Sequence, residues 1–224
     1  MKLTFLGHAA VQLRDGAHEV VIDPFLSENP KAVTAPESLS PSHIILTHAH
    51  ADHVGDTVAI AKRCGATVLG AVEVVRHLAA EGVEGVGMNV GGGSDFPFGR
   101  VTFTPAWHSS AFADGTYGGT PMGVIVRMGG ATVFHAGDTA LFSDLSLVAR
   151  HGIDVALVPI GDHFTMGPDD ALEAVRLLRP RHVVPVHYGT FPPIEQDAHA
   201  FAERVRAETD ARAHALAPGE TLEL

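Results

Sequence analysis

A short apolar run in this chain ends directly in a cluster of metal-binding side chains. Residues 43–53 read His-Ile-Ile-Leu-Thr-His-Ala-His-Ala-Asp-His. Because side chains of an extended strand alternate between its faces, His48 and His50 share one face, and Asp52 and His53 follow as the chain turns into the next helix. Neutral imidazole and carboxylate groups bind zinc, iron, manganese and nickel. A lone His-x-His is typical of surface histidines, but the complete string predicts a metal site at the end of a buried strand.

Three further apolar strands are each predicted to end in one potential metal ligand. His108, Asp138 and His187 follow these strands within three positions. Each alone is more typical of a turn residue. Together with the string, however, they bring imidazoles and carboxylates to the ends of four strands. That is the arrangement that a site for two metal ions requires.

Strands and helices alternate along the whole chain. We expect strands over residues 3–6, 11–14, 19–23, 44–46, 67–69, 101–106, 122–128, 132–135, 155–158 and 182–186. We expect helices over residues 58–64, 72–80, 142–150, 168–178 and 195–208, and a closing hairpin near residues 212–224. Early hairpins followed by strand–helix alternation favour sheets that lie between helical layers.

Composition limits the classes of partner. The 224 residues are 46% hydrophobic and 18% charged, which is typical of a globular protein, and we expect a single domain spanning residues 1–224. The formal net charge is −11 and no basic tract is present. We therefore predict no nucleic-acid partner and no binding to an anionic membrane surface. We expect a small-molecule substrate instead, and a homo-oligomer is compatible with the sequence.

The sequence favours a cytoplasmic location. No apolar run approaches the length that spans a bilayer, and the first residues are expected to form a strand rather than a signal peptide. Cys64 is the single cysteine, so an internal disulfide cannot form, which fits a reducing compartment.

From Asp23 to beyond His187 the chain resembles the metallo-beta-lactamase superfamily. The matching positions are, in order, Asp23, the string His48-Ala49-His50-Ala51-Asp52-His53, His108, Asp138 and His187. The resemblance implies an α/β fold, a four-layer αβ/βα sandwich with two metal ions in a cleft at one edge of the sheets. It also implies that one metal is held by His48, His50 and His108, the other by Asp52, His53 and His187, and that Asp138 bridges the two.

Three short segments narrow the resemblance. Gly7-His8, residues 107–110 and residues 161–168 are similar to a group of uncharacterised metal-dependent hydrolases, which are similar in turn to ascorbate-6-phosphate lactonase. Too little chain follows His187 for the further helical domain of glyoxalase-II-type enzymes. The interval between Asp138 and His187 is too short for the inserted domain of superfamily nucleases.

Three other residues have candidate roles at the site. Asp23 ends a predicted strand, and the family match favours a carboxylate that orients a ligand imidazole over a simple turn residue. His8 follows a glycine at the end of the first strand. This position fits a proton donor or substrate contact, and it fits a histidine of a turn equally well. His163 lies in a Gly-Asp-His turn beyond a buried strand and is a candidate substrate contact or proton donor.

The leading hypothesis is a dinuclear metal-dependent hydrolase of a small, anionic or phosphorylated substrate such as a lactone, a phosphodiester or another ester. The metals would bind a water molecule and lower its pKa, so that the resulting hydroxide attacks the substrate. Asp52 would bind a metal and orient this nucleophile. Zinc or manganese is expected, with nickel or iron also compatible. The alternatives are an iron-dependent oxidative enzyme built on the same cage and a non-catalytic metal-binding scaffold.

Overall fold

Fourteen strands form two mixed sheets of seven strands each in the computed structural model, which describes residues 1–224. In chain order the strands are β1 (Lys2–Gly7), β2 (Ala10–Asp15), β3 (His18–Ile22), β4 (His43–Ile45), β5 (Thr67–Ala71), β6 (Gly85–Met88), β7 (Gly93–Phe96), β8 (Gly99–Pro105), β9 (Met122–Met128), β10 (Ala131–His135), β11 (Val155–Pro159), β12 (His182–Val186), β13 (Arg212–Ala213) and β14 (Thr221–Glu223). The first sheet has the order β14-β1-β2-β3-β4-β5-β6, and the second has the order β13-β12-β11-β10-β9-β8-β7.

The helices pack on the two sheets. They are α1 (Ala51–Val54), α2 (Thr57–Cys64), α3 (Val72–Ala79), α4 (Leu145–Val148), α5 (Pro168–Leu178) and α6 (Ala198–Glu208). Helices α2 and α3 contact β4, β5 and β6 of the first sheet, whereas α5 and α6 contact β11, β12 and β13 of the second. None of the helices is both long enough and apolar enough to cross a membrane.

Strand β11 shows how the layers are built. Val155 and Leu157 belong to a core of 38 buried residues that joins the two sheets. Ala156 and Val158 belong to a second core of 22 buried residues, shared with α4, α5 and α6. This alternation is the period of two that an extended strand imposes on its side chains. The second sheet therefore lies between the first sheet and a helical layer, and the predicted four-layer αβ/βα sandwich is confirmed.

Local sequence patterns predicted most elements well. Helix α5 and strand β12 have the predicted bounds, and Gly65 ends α2 in the left-handed conformation (φ 67°) that glycine tolerates. The helix predicted over 142–150 begins later, since α4 spans Leu145–Val148 and is followed by one 3-10 turn over Ala149–His151. Strands β6 and β7 were missed, because each begins at a glycine and carries few residues that favour strands.

The predicted closing hairpin is wrong. Strand β13 pairs in parallel with β12, whereas β14 pairs antiparallel with β1 in the other sheet. The connecting segment crosses between the sheets, where the amide of Gly219 donates to the carbonyl of Phe5 over 2.7 Å. Each of these two strands lies at the edge of a different sheet and completes its backbone hydrogen bonds. A local sequence pattern cannot distinguish such a pair of strands from a hairpin.

Carboxyl ends of parallel strands from both sheets meet at one edge of the sandwich. Strands β3 to β6 run parallel in the first sheet, and β10 to β12 run parallel in the second. The amide of Met122 donates to the carbonyl of Thr47 over 3.0 Å, and the amide of His187 donates to the carbonyl of His8 over 2.7 Å. These bonds tie the two sheets together at this edge. The predicted ligands follow β4, β8, β10 and β12, so the fold collects them there.

Candidate metal centre

His48, His50 and His108 place three imidazole rings around one point. Nε2 of His48 lies 2.9 Å from Nδ1 of His50, and the ring centroids of His48 and His108 are 5.2 Å apart. One nitrogen of each ring lies within 4.8 Å of the others. Burial lowers the pKa of His48 well below its ordinary value, and it also lowers the pKa of His50 and His108. The three rings are therefore neutral near pH 7 and offer lone pairs to a metal.

Asp138 lies between these rings and a second group of imidazoles. Its Oδ2 is 3.0 Å from Nε2 of His187 and 3.6 Å from Nε2 of His108, while its Oδ1 is 3.4 Å from Nε2 of His53. Burial acts to raise the pKa of Asp138, but His53 and His187 outweigh it and hold that pKa well below the ordinary value. The ionised carboxylate faces both groups of rings.

Asp52 lies in the first turn of α1 and is the more accessible of the two carboxylates. Its Oδ2 lies 3.0 Å from Nε2 of His8, 3.7 Å from Nε2 of His187 and 4.0 Å from Nε2 of His53, and 30% of its side chain is exposed. Burial acts to raise its pKa, but the nearby imidazoles of His187 and His8 outweigh it and hold the pKa far below the ordinary value. The carboxylate is ionised and reaches the open side of the centre.

Asp23 holds His53 from behind. Nδ1 of His53 donates to Oδ2 of Asp23 over 2.7 Å, and both side chains are fully buried. The same carboxylate accepts from the amide and the hydroxyl of Thr47 over 2.9 and 2.6 Å. The hydrogen bond to Asp23 keeps a proton on Nδ1 of His53. When a metal replaces the proton on Nε2, the lone pair of that nitrogen points at the centre. The structure thus places Asp23 beside His53, a candidate ligand imidazole.

His8 is buried and faces Asp52. Its backbone has φ 56°, its Nδ1 lies 2.9 Å from Oγ1 of Thr190 and its Nε2 lies 3.0 Å from Asp52. Burial lowers the pKa of His8 to about 4, so the ring is neutral near pH 7. A neutral ring donates from Nε2 to the carboxylate and accepts the hydroxyl proton of Thr190 at Nδ1. No sequence pattern indicated a role for Thr190, which stands three positions after His187.

His163 is not brought together with these groups. It lies in the loop between β11 and α5, its side chain is exposed, and its ring contacts Phe164 with the centroids 4.5 Å apart. The amide of Met166 donates to the carbonyl of Thr139 over 3.0 Å, which places this loop beside the residue that follows Asp138. His163 therefore stands at the outer border of the centre rather than among its buried side chains.

The buried atoms of the centre fit divalent cations. Nε2 of His53 and Oδ1 of Asp138 are buried without a hydrogen-bond partner, a state that is costly for polar atoms unless another group satisfies them. Burial acts to lower the pKa of both His53 and His187, but Asp138 outweighs it, raising the pKa of His53 well above the ordinary value and that of His187 to about 9. The chain thus favours positive charge where a cation would lie, and imidazole and carboxylate are suitable ligands.

Comparison with known proteins agrees with this chemistry. The family description "Beta-lactamase superfamily domain" matches residues 18–188. A UPF0173 metal-dependent hydrolase of Thermus thermophilus is 53% identical over 100% of this chain and 99% of its own length. Another, from Symbiobacterium thermophilum, is 48% identical over the full length of both proteins. The solved structure of Igni18, a metallo hydrolase of the archaeon Ignicoccus hospitalis, has a TM-score of 0.91 at 38% identity and covers 100% of this chain and 98% of its own.

These relatives span the whole chain and carry the metal-dependent activity in their names, while the narrower likeness to ascorbate-6-phosphate lactonase stays a prediction. The chain therefore belongs to the metallo-beta-lactamase superfamily and, within it, to the UPF0173 metal-dependent hydrolases, as the shared domain, the full-length identity and the cluster of histidines and aspartates show.

Proposed function

We propose that this hydrolase binds two divalent metal ions at the centre. The position of Asp138 carries the proposal. Its Oδ2 lies between His108 at 3.6 Å and His187 at 3.0 Å, and its Oδ1 lies 3.4 Å from His53. The first ion would be held by His48, His50 and His108, and the second by Asp52, His53 and His187. Asp138 would contact both ions, and Asp23 would fix the orientation of His53. Zinc or manganese suits this set, with nickel or iron also accepted by such ligands.

The chain's own residues would orient the reaction. Bound divalent ions activate water as a nucleophile and polarise the bond that is attacked. Asp52, ionised and partly exposed, would accept a hydrogen bond from the attacking water and so aim it at the substrate. His8 would act through Asp52, because its Nε2–H holds one carboxylate oxygen in place over 3.0 Å. His163, at the outer border, would contact the substrate or protonate the leaving group.

Charge supports a small anionic or phosphorylated substrate, such as a lactone, a phosphodiester or another ester. Two divalent ions carry more positive charge than Asp23, Asp52 and Asp138 offset, so the loaded centre attracts anions. The remaining surface is acidic overall, which fits a cytoplasmic enzyme without a nucleic-acid partner.

The experiment is a screen of purified, metal-quantified protein against lactones, phosphodiesters and thioesters. We expect about two ions per chain at saturation, as a two-metal hydrolase requires. Hydrolysis should stop after chelation and return when zinc or manganese is added. Saturation at a single ion would contradict the dinuclear centre. Oxygen uptake by iron-loaded protein that hydrolyses none of the three substrate classes would instead favour the oxidative alternative.

A further inference from the structure

The exposed aromatic side chains of this protein are all found on loops that border the metal centre. The chain contains one tryptophan, two tyrosines and eleven phenylalanines. Only three of these are exposed, namely Trp107 (67%), Tyr117 (64%) and Phe164 (53%). A single exposed aromatic residue needs no explanation, but a group of them around one site is typical of a binding surface.

Trp107 is held against the segment that follows Asp138. It directly precedes His108, its amide donates to Oγ1 of Thr139 over 2.9 Å, and its carbonyl accepts from the amide of Ala140 over 3.1 Å. The backbone of Trp107 is therefore fixed between two proposed metal ligands. Its indole ring is nevertheless mostly open to solvent.

Phe164 projects from a second loop that is tied to the same place. The amide of Asp162 donates to the carbonyl of Met166 over 3.0 Å, and the amide of Met166 donates to the carbonyl of Thr139 over 3.0 Å. The first bond closes the loop and the second anchors it beside Asp138. Trp107 and Phe164 thus flank Thr139 from two different loops.

Tyr117 stands on the side of His50. It forms an isolated β-bridge with Ala111, and the amide of Gly118 donates to the carbonyl of Ser110 over 3.0 Å. Oγ of Ser110 in turn accepts from the amide of Ala49 over 3.2 Å. These bonds fasten the tyrosine loop to the metal-binding string.

The charges on these loops decide what kind of group they would bind. Residues 107–118 and 161–167 contain no lysine or arginine, and their acidic residues are Asp114 and Asp162. A second phosphate or another anionic arm would find no cation there. An alkyl or aryl group would find three aromatic faces, each of which gains from removal of apolar surface from water.

We propose that Trp107, Phe164 and Tyr117 bind an apolar group of the substrate. The substrate is then an amphiphile, with the hydrolysed ester, lactone or phosphoester head at the metals and an alkyl or aryl group on the aromatic rim. This inference rests on the proposed function, because the metals fix where the head lies.

Trp107 is the single tryptophan and so reports binding without turnover. Metal-loaded protein is titrated with octylphosphonate and with methylphosphonate, which share a head group and differ in the apolar chain. We expect octylphosphonate to bind at least about tenfold more tightly, because even partial burial of several methylene groups is worth that much, and to shift the tryptophan emission to shorter wavelength. Methylphosphonate should leave the emission wavelength unchanged.

Matched variants locate the effect. Phe164→Ala should remove most of the preference for octylphosphonate while metal content and methylphosphonate affinity stay unchanged. Leu147→Ala, at an exposed apolar residue (56%) on α4 that borders none of the ligands, should keep the full preference.

Equal affinity for the two phosphonates in the wild type would overturn the role of the aromatic rim and leave the proposed function standing. Absence of metal uptake and of methylphosphonate binding would instead overturn the proposed function. Dissociation of a wild-type dimer by Phe164→Ala, with no change in phosphonate binding, would show that the rim joins two copies of the chain and would overturn the substrate role.

Discussion

Asp23 and His53 form a fully buried pair in which Nδ1 of the imidazole donates to Oδ2 of the carboxylate over 2.7 Å. The same carboxylate accepts two hydrogen bonds from Thr47, so its position is fixed by the strand that leads into the metal-binding string. Asp23 itself has φ 47°, a left-handed conformation that asparagine also tolerates. The carboxylate of Asp23 is therefore held in the position that fixes the orientation of the His53 ring.

Asp23→Asn should weaken metal binding without unfolding the chain. The amide keeps the shape of the side chain but loses the charge that supports the proton on Nδ1 of His53. We expect affinity for zinc to fall about 10- to 100-fold, as is found for partners of ligand histidines. Competition with a chromophoric chelator measures the change. Asp56→Asn is the control, because Asp56 anchors the amides of Leu26 and Ser27 and contacts no imidazole. An equal loss of affinity in both variants would contradict the role of Asp23.

Asp138→Ala should abolish binding of the second metal and nearly all hydrolysis. The carboxylate offsets the charge of both proposed ions, and without it they repel each other across a short gap. Metal analysis by mass spectrometry should show a loss of about one ion per chain relative to the two that such a centre holds. Asp210→Ala, at an exposed residue after α6, should retain full metal content. Unchanged metal content and turnover in Asp138→Ala would remove Asp138 from the centre.

The positions of the proposed ligands could be predicted from the sequence because each is encoded locally. A strand of buried residues followed within three positions by His or Asp places that side chain at the carboxyl end of the sheet, as His48, Asp138 and His187 show. The roles that depend on contacts between distant segments could not be predicted. Thr190 reaches His8 across 182 positions of the chain. The pairing of β14 with β1 and the exposed position of His163 likewise depend on tertiary packing alone.

Thr190→Val should lower turnover while the metals stay bound. The change removes the hydroxyl that donates to Nδ1 of His8 and leaves that buried nitrogen without a partner, which costs about 1–3 kcal/mol. His8 would then turn to find another partner and release Asp52. We expect kcat to fall roughly tenfold or more, with KM and metal content nearly unchanged, since the interaction acts on the transition state rather than on substrate binding. Thr190→Ser restores a hydroxyl at the same place and should recover most of the turnover. Equal losses in the valine and serine variants would contradict a role through the hydroxyl.

Two histidines, His182 and His214, form a pair away from the metal centre. Nδ1 of His182, at the start of β12, lies 2.9 Å from Nε2 of His214, which follows β13. Burial first, and then the charge of Arg212, lowers the pKa of His182, while burial and then His182 lower the pKa of His214. Their charged neighbours are Arg181, Arg206, Arg212, Asp154 and Glu220.

Because both folded-state pKa values lie below the ordinary value, the unfolded chain takes up protons first as the pH falls. The free energy of unfolding should therefore decrease below the ordinary histidine pKa of about 6.5, and the pair should have no effect well above it. We expect His214→Gln, in metal-free protein, to lose less stability than the wild type between about pH 7.5 and pH 5, as urea unfolding at the two values would show. His199→Gln, at an exposed histidine on α6, should follow the wild type. A His214→Gln protein with the same loss as the wild type would show that the pair titrates alike in the folded and unfolded states, and would contradict the linkage.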